Sequence, residues 1–268
     1  MCQHRNSIIP KERQALINLF KRYCDIFTWT YDNLKTYDMQ IIQHVIPTKK
    51  GAKPFEKKIR KVHPALEPLI QKELKKLLDA HISHSTWVSN LVLVRKKSGE
   101  ICLCVDFWNL NQASNKENYP ILSMEQILQT LSGSKIFSLL DGFSGYNQVL
   151  EAEPVWIKTT FRTKWAMFSF FRIPLRLINI LETFQTSMDI AFQGLIGQSI
   201  VVYLDDVTIF SKKRADHLHH LKQIFKRCWK YGISLNPKKS IFTVSEATFL
   251  DTSSPKTESL LNPITWRI

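Results

Sequence analysis

Apolar and polar positions alternate along this chain in stretches that mark out its elements. Ala15, Leu16, Leu19, Phe20 and Tyr23 recur at helical spacing and predict a helix over Arg13–Phe27. A second helix is predicted over Leu66–Ala80, with Leu66, Leu69, Ile70, Leu74, Leu77 and Leu78 on one stripe and Lys72, Lys75 and Lys76 pointing away. The stretches Ser89–Gly99 and Ile101–Asp106 carry two apolar runs around Ser98–Gly99 and read as a hairpin. Within Asn118–Gly133 a proline-marked start leads to Met124, Ile127, Leu128 and Leu131 on one helical face. Ile136–Leu140 reads as a buried strand, and Ile157–Thr163 and Trp165–Phe171 read as two more around Thr163–Lys164. A helix continues through Thr183–Phe192, and Leu181 extends it. Ile200–Phe210 is a β-branched and aromatic run broken only by a polar tip, which predicts another hairpin. Asp216 is an N-cap candidate for a last helix running through Leu218, Leu221, Ile224, Phe225, Cys228 and Trp229 to Gly232.

The polar tip of the Ile200–Phe210 hairpin is Asp205–Asp206. Two adjacent carboxylates raise the cost of ionising each other, and a hard divalent cation with oxygen ligands, above all Mg²⁺, relieves that cost. A solvated turn is the plainer reading, because aspartate is a common turn residue. A third carboxylate in a similar setting tips the balance, and Asp141 supplies it, ending the strand Ile136–Leu140 just before Gly142.

Charge narrows the partners. The chain carries 37 Lys and Arg against 23 Asp and Glu, a formal net charge of +14 over 268 residues. Such an excess suits a polyanion held through phosphate contacts, and a membrane-surface protein would share it. The basic run Lys49, Lys50, Lys53, Lys57, Lys58, Arg60 and Lys61 is either a solvated face or a contact to a nucleic-acid strand. Five scattered cysteines suggest neither a disulfide framework nor a zinc site. His217, His219 and His220, on a helix start expected to be exposed, lack the spaced cluster that zinc requires, and His44 reads as structural. Without a secretory signal or a membrane-length apolar stretch, the expectation is an intracellular, soluble protein without a membrane partner.

The stretches Leu140–Asp141–Gly142–Phe143–Ser144–Gly145–Tyr146–Asn147–Gln148 and Tyr203–Leu204–Asp205–Asp206 closely resemble the reverse transcriptases of gypsy-type long-terminal-repeat retrotransposons, particularly those of plants. The resemblance implies an α+β fold. A palm with an antiparallel sheet backed by helices would be accompanied by fingers, with the thumb lacking. Its implied layout is a leader over 1–48, fingers over 49–133 and 151–177, palm over 134–150 and 178–250, and a diverged tail over 251–268. It implies transfer of a deoxynucleotide from its triphosphate to the 3′-OH of a primer on an RNA or DNA template, and a cytoplasmic setting. Asp141, Asp205 and Asp206 would hold two Mg²⁺ ions. Lys97 would contact the triphosphate, and Tyr146 would be the gate that excludes a ribose 2′-OH.

Two departures stand out. Where relatives read Asp–Phe/Tyr–Arg–x–Leu–Asn, this chain has Trp108 in the arginine's place within Asp106–Asn111. Trp108 can still stack, but it offers no charge to a phosphate. Where relatives have a glycine that lets backbone approach the nucleotide, this chain has Arg176, which either restores the lost charge or obstructs the pocket. After Phe249 the familiar pattern also ends. A degenerate or truncated copy, weak or inactive, is therefore expected. The alternatives are a non-catalytic nucleic-acid-binding remnant and a host protein that reuses the fold for protein contacts.

Overall fold

The computed structural model describes residues 10–244 except 39–40, 61, 77–79, 83, 96–100, 121, 175 and 204–205. In chain order its elements are α1 (Pro10–Arg22), α2 (Glu67–Lys76), β1 (Ala80–Ile82), β2 (Ser89–Arg95), β3 (Ile101–Val105), α3 (Trp108–Ala113), α4 (Met124–Leu131), β4 (Ile136–Asp141), β5 (Phe161–Arg162), β6 (Met167–Phe170), α5 (Ile180–Ala191), β7 (Ile200–Tyr203), β8 (Asp206–Ser211), α6 (His217–Tyr231) and β9 (Ile241–Val244). This is a mixed α+β chain, and it divides into two units.

One unit falls within Met1–Leu34, Ile121–Phe143 and Asp189–Ile268. Its sheet has the order β7-β8-β4-β9, and every neighbouring pair is antiparallel. The strands read as unbroken apolar runs because both faces are covered, which removes the usual alternation. On one face Ile127 and Leu131 of α4 pack with Phe137, Val201, Tyr203 and Phe210. On the other lies α6, whose Leu221, Ile224, Phe225 and Cys228 are fully buried. Of the expected leader, 1–48, the part up to Leu34 falls in this unit: Phe20 and Phe27 pack against Phe225 and Phe242 with ring centroids 4.7–6.3 Å apart, edge-on except for the tilted Phe20–Phe225 pair.

The other unit comprises Lys35–Pro120 and Ser144–Met188. Its sheet has the order β1-β6-β5-β2-β3, with β2 and β3 forming the expected antiparallel hairpin. The turn of that hairpin, 96–100, lies outside the described residues.

Several expected boundaries move. The first helix stops at Arg22 and a 3₁₀ turn, Cys24–Ile26, follows it. The helix expected to reach Ala80 is described only to Lys76, and Ala80 begins a strand instead. Leu69 of its predicted stripe is exposed, whereas Ile70 is buried. Residues 157–160, expected as strand, form a turn in which threonine hydroxyls bond back to carbonyls three residues earlier: Thr159 to Trp156 at 3.2 Å and Thr160 to Ile157 at 3.0 Å. Such local bonds compete with a sheet ladder. Asp216 does precede α6, but it sits in helical geometry at the end of a 3₁₀ turn and its side chain caps nothing. Gly232 ends α6 in the left-handed region, at φ +70°. Leu181 does lie within α5.

Candidate functional site

Two of the three expected carboxylates are described. Asp141 is the last residue of β4 and Asp206 the first of β8, and they are direct partners across the antiparallel pair. Directly opposed residues project from the same face of a sheet, so the two carboxylates share one face. Side chains alternate along a strand, so this is also the face on which Phe137 and Phe210 pack. The apolar pairing fixes the register, and a slip by one residue would turn both carboxylates to the opposite face. Asp206 is exposed and Asp141 half-buried. Asp205 lies outside the described residues, as does Lys97.

Asp141 is held by a turn whose role could not be read from its sequence. The Asn236 amide donates to Asp141 Oδ2 at 3.1 Å, and Asn236 N donates to the Asp141 carbonyl at 2.8 Å. The Asp141 N–H donates to Ser240 Oγ at 3.2 Å, and that hydroxyl donates to the Asn236 carbonyl at 2.7 Å. Lys239 Nζ lies 3.5 Å from Asp141 Oδ2. Asn236, Lys239 and Ser240 thus set the orientation and charge balance of the carboxylate. Gly232–Ser240 carries no periodicity that would assign a role to any of these residues.

Could these residues take a cation? Two carboxylates at paired positions on one face repel, and they offer hard oxygen donors. That donor set suits Mg²⁺, with Lys239 as the local competitor. Among the described residues no cluster of three or more His, Cys, Asp or Glu could hold a metal. The His217 group is a different structure from the one expected. His217 is buried, its Nε2 2.8 Å from Ser138 Oγ and its Nδ1 2.9 Å from Ser211 Oγ. His220 Nδ1 shares Ser211 Oγ at 2.7 Å. Burial chiefly, with the charges of His220 and Arg214, lowers His217 to about 4. His44 is buried as well and is lowered to about 4 by that burial, its Nδ1 2.8 Å from Thr183 Oγ1.

The remaining candidate residues lie in the other unit. Trp108 opens α3 with 63% of its surface exposed. Its N–H donates to Asp106 Oδ1 at 3.3 Å, and Asp106 Oδ2 takes Lys57 at 3.0 Å and Arg60 at 3.4 Å. Partial burial works against the Asp106 carboxylate, but the Lys57 and Trp108 hydrogen bonds and the charges of Lys57 and Arg60 outweigh it and lower its pKa. Lys57 and Arg60 are therefore engaged within the protein. Lys49, Lys50 and Lys53 line an open groove with Phe55, Asn109 and Gln112, and Lys49 Nζ donates to the Gln112 carbonyl at 2.9 Å.

Arg176 is exposed and sits at φ +82°, in the region that favours glycine. Asn111 holds it there, its amide donating to the Arg176 carbonyl at 2.8 Å and its Oδ1 accepting from Ile178 N at 3.0 Å. Asn179 makes a second clasp, to the Asn115 carbonyl at 2.9 Å and from Glu117 N at 3.2 Å. Tyr146 lies in a 3₁₀ turn, Gly145–Gln148, with its ring edge-on to Phe184 at 5.1 Å. A Cβ on Gly145 would come within 3.0 Å of that same Phe184 ring, so the absence of a side chain there lets the turn seat closely.

Comparison with known proteins fits this arrangement. The family described as reverse transcriptase (RNA-dependent DNA polymerase) matches residues 56–253. The retrovirus-related Pol polyprotein of transposon 412 from Drosophila melanogaster is 28% identical over 266 residues, 92% of this chain and 21% of that protein. That of transposon gypsy, also from Drosophila melanogaster, is 32% identical over 190 residues, covering 68% of this chain and 18% of the relative. The enzymatic polyprotein of cauliflower mosaic virus (strain Strasbourg) is 30% identical over 209 residues, 74% of this chain and 30% of the relative. The chain thus spans less than a third of each of these relatives. A foamy viral protease-reverse transcriptase, solved in complex with RNA/DNA hybrid, superposes with a TM-score of 0.80 at 21% identity over 91% of this chain and 33% of that one. At that identity the likeness establishes the fold. By its sequence match and its fold, the chain belongs to the reverse transcriptase family, as the reverse transcriptase domain of a retroelement Pol polyprotein.

Proposed function

We propose that this chain is built for template-directed transfer of a deoxynucleotide to a primer 3′-OH on RNA or DNA, and that it comes from a plant-like, gypsy-type element acting in the cytoplasm. The opposition of Asp141 and Asp206 on one sheet face carries this reading. Asp141, Asp205 and Asp206 are assigned to two Mg²⁺ ions. Bound there, the metal supplies activation of the primer hydroxyl and neutralisation of the departing pyrophosphate. Asn236 and Ser240 hold Asp141 in position, through its carboxylate and its backbone N–H, and Lys239 brings a cation to it. Lys97 is assigned to the triphosphate, Trp108 to stacking, Tyr146 to exclusion of the 2′-OH, and Arg176 to the nucleotide pocket, which its side chain obstructs. The assigned layout is fingers over 49–133 and 151–177, and palm over 134–150 and 178–250. Among the described residues no helix is long and apolar enough to cross a membrane.

A weak or inactive copy is the form this reading takes. Trp108 brings no cation, and Arg176 puts a long side chain on backbone that favours glycine. The test is single-nucleotide extension of a primed RNA template with Mg²⁺. The wild type should extend poorly, the double variant Trp108→Arg/Arg176→Gly should extend measurably, and Asp205→Asn in that background should abolish it. A double variant that binds primed template yet extends nothing would decide for the non-catalytic remnant.

A further inference from the structure

The aromatic residues of the N-terminal segment separate into two sets. Phe20 and Phe27 enter the cluster with Phe225 and Phe242. Trp29 and Tyr31, a few residues on, remain 50% and 61% exposed although that core lies beside them. Backbone bonds tie them to the carboxylate strand. Thr28 N donates to the Leu235 carbonyl at 2.9 Å and Leu235 N to the Ile26 carbonyl at 2.8 Å. Leu235 bridges Phe27 on one side and Gly142 on the other, and Phe143 N donates to the Ser234 carbonyl at 2.9 Å. Tyr31 packs edge-on to Phe143, two residues past Asp141, at 5.5 Å.

The same turn that grips Asp141 supplies a cation. Asn236 Oδ1 accepts from Lys238 N at 3.0 Å, and Lys238 Nζ lies 6.0 Å from the centre of the Trp29 ring. Trp165 also has a lysine over its ring, Lys164 at 5.1 Å, but Lys164 is paired with Glu67. Lys238 has no carboxylate partner among the described residues, so its charge is open to a ligand. Asp32, next to Tyr31 in the chain, disfavours phosphate on that flank. The aromatic end therefore suits a base and the lysine end a phosphate.

We propose that Trp29 and Tyr31, with Lys238 beside them, form a stacking platform for an unpaired nucleobase of the template strand. The proposal rests on the polymerase reading for what that strand is. Every base has a π-face, so stacking of this kind accepts any sequence, while lysines nearby hold the backbone. A strand whose base is clamped here is anchored beside Asp141 through the Phe27–Leu235–Gly142 ladder, which couples grip to chemistry without a residue at the reacting atoms.

The test is anisotropy of labelled primed template and of unpaired DNA and RNA oligomers, with wild type, Trp29→Ala, Trp29→Phe, Lys238→Gln and Trp229→Ala, together with primer extension by the same proteins. Trp29→Ala should weaken binding of unpaired DNA and RNA alike by about tenfold, because stacking does not sense the 2′-OH. Trp29→Phe should keep most of the affinity and serves if the alanine variant does not fold. Lys238→Gln should lower the salt slope by about one. Trp229→Ala, an exposed tryptophan on α6, should bind as wild type does. Affinity for unpaired strand within about twofold of wild type in Trp29→Ala, or in Trp29→Phe and Lys238→Gln together, overturns the platform. Trp29-dependent binding without extension by the double variant described above leaves the platform standing and removes the polymerase reading. Extension that is indifferent to Trp29 does the reverse, and a wild type that binds no strand removes both.

Discussion

Replacing Arg176 by glycine should stabilise the protein, although it deletes a side chain. Arg176 sits at φ +82°, and Asn111 bonds to its carbonyl and to Ile178 N hold the backbone there. A residue with a Cβ in left-handed backbone costs about 1–2 kcal/mol, which glycine does not incur. Glycine in turn loses about 0.5–1 kcal/mol through the greater freedom of the unfolded chain. The Arg176 side chain is exposed, and truncating an exposed side chain usually changes stability little. The difference leaves a net gain of about 0.5–1 kcal/mol, a rise in melting temperature of roughly 1–4 °C for a domain of this size. Urea denaturation and thermal melts of wild type, Arg176→Gly and Arg176→Ala measure it. The alanine variant keeps the Cβ and removes the charge, so it should stay within about 0.5 kcal/mol of wild type. Equal stability of the glycine and alanine variants would refute the strain argument and leave charge as the cause of any gain.

Two further outcomes follow from buried contacts. His217 is held neutral in the fold down to about 4, against 6.5 for a free imidazole, so the unfolded chain takes up the proton first as pH falls. The stabilisation it lends is whole above about pH 6.5 and is lost towards pH 4, about 3 kcal/mol in all. Urea midpoints at about pH 7 and pH 5 should converge in His217→Gln relative to wild type, and an unchanged difference would count against the buried imidazole. His44 titrates in the same direction and persists in that variant, so part of the acid sensitivity should remain. Gly145→Ala drives a methyl to 3.0 Å from the buried Phe184 ring and should destabilise by about 1–3 kcal/mol in chemical denaturation, with a loss under about 0.5 showing that the turn can give way.

What sequence made legible here was whatever a local pattern could carry. The Asp206 hairpin, the strand into Asp141 and the β2–β3 hairpin are continuous apolar runs with polar breaks, and all three form where their spelling puts them. The grip on Asp141 was not legible, because Asn236 and Ser240 reach it across 95 and 99 residues of chain through polar bonds that leave no periodicity. The burial of His217 was hidden for a related reason. Its helix start reads as polar, yet Ser138 and Ser211 on the sheet offer it partners, and a polar side chain is admitted to a core on that condition. Ile157–Thr160 misled because β-branched threonines favour strands while their hydroxyls also bond to nearby carbonyls, and here the second property prevailed. The first residues looked like a leader because only their contacts with Phe225 and Phe242 place them in the carboxylate unit.

The two sets of candidate residues are exposed to loss in very different degrees. Asp141 and Asp206 take their positions from a register fixed by Phe137, Phe210 and their partners, so a change that moved them would disturb a core and cost stability. Trp108 and Arg176 are exposed, and substitution at exposed sites usually changes stability little. A chain no longer selected for synthesis therefore keeps its carboxylate frame long after its nucleotide contacts have drifted, because folding preserves the first and only activity preserves the second. On the proposed reading, the residues at 108 and 176 together with the kept register of β4 and β8 are what such a history would leave. For the same reason a family match and a superposable fold carry no information on turnover, and restoring the two exposed residues is the experiment that separates a lost activity from an absent one.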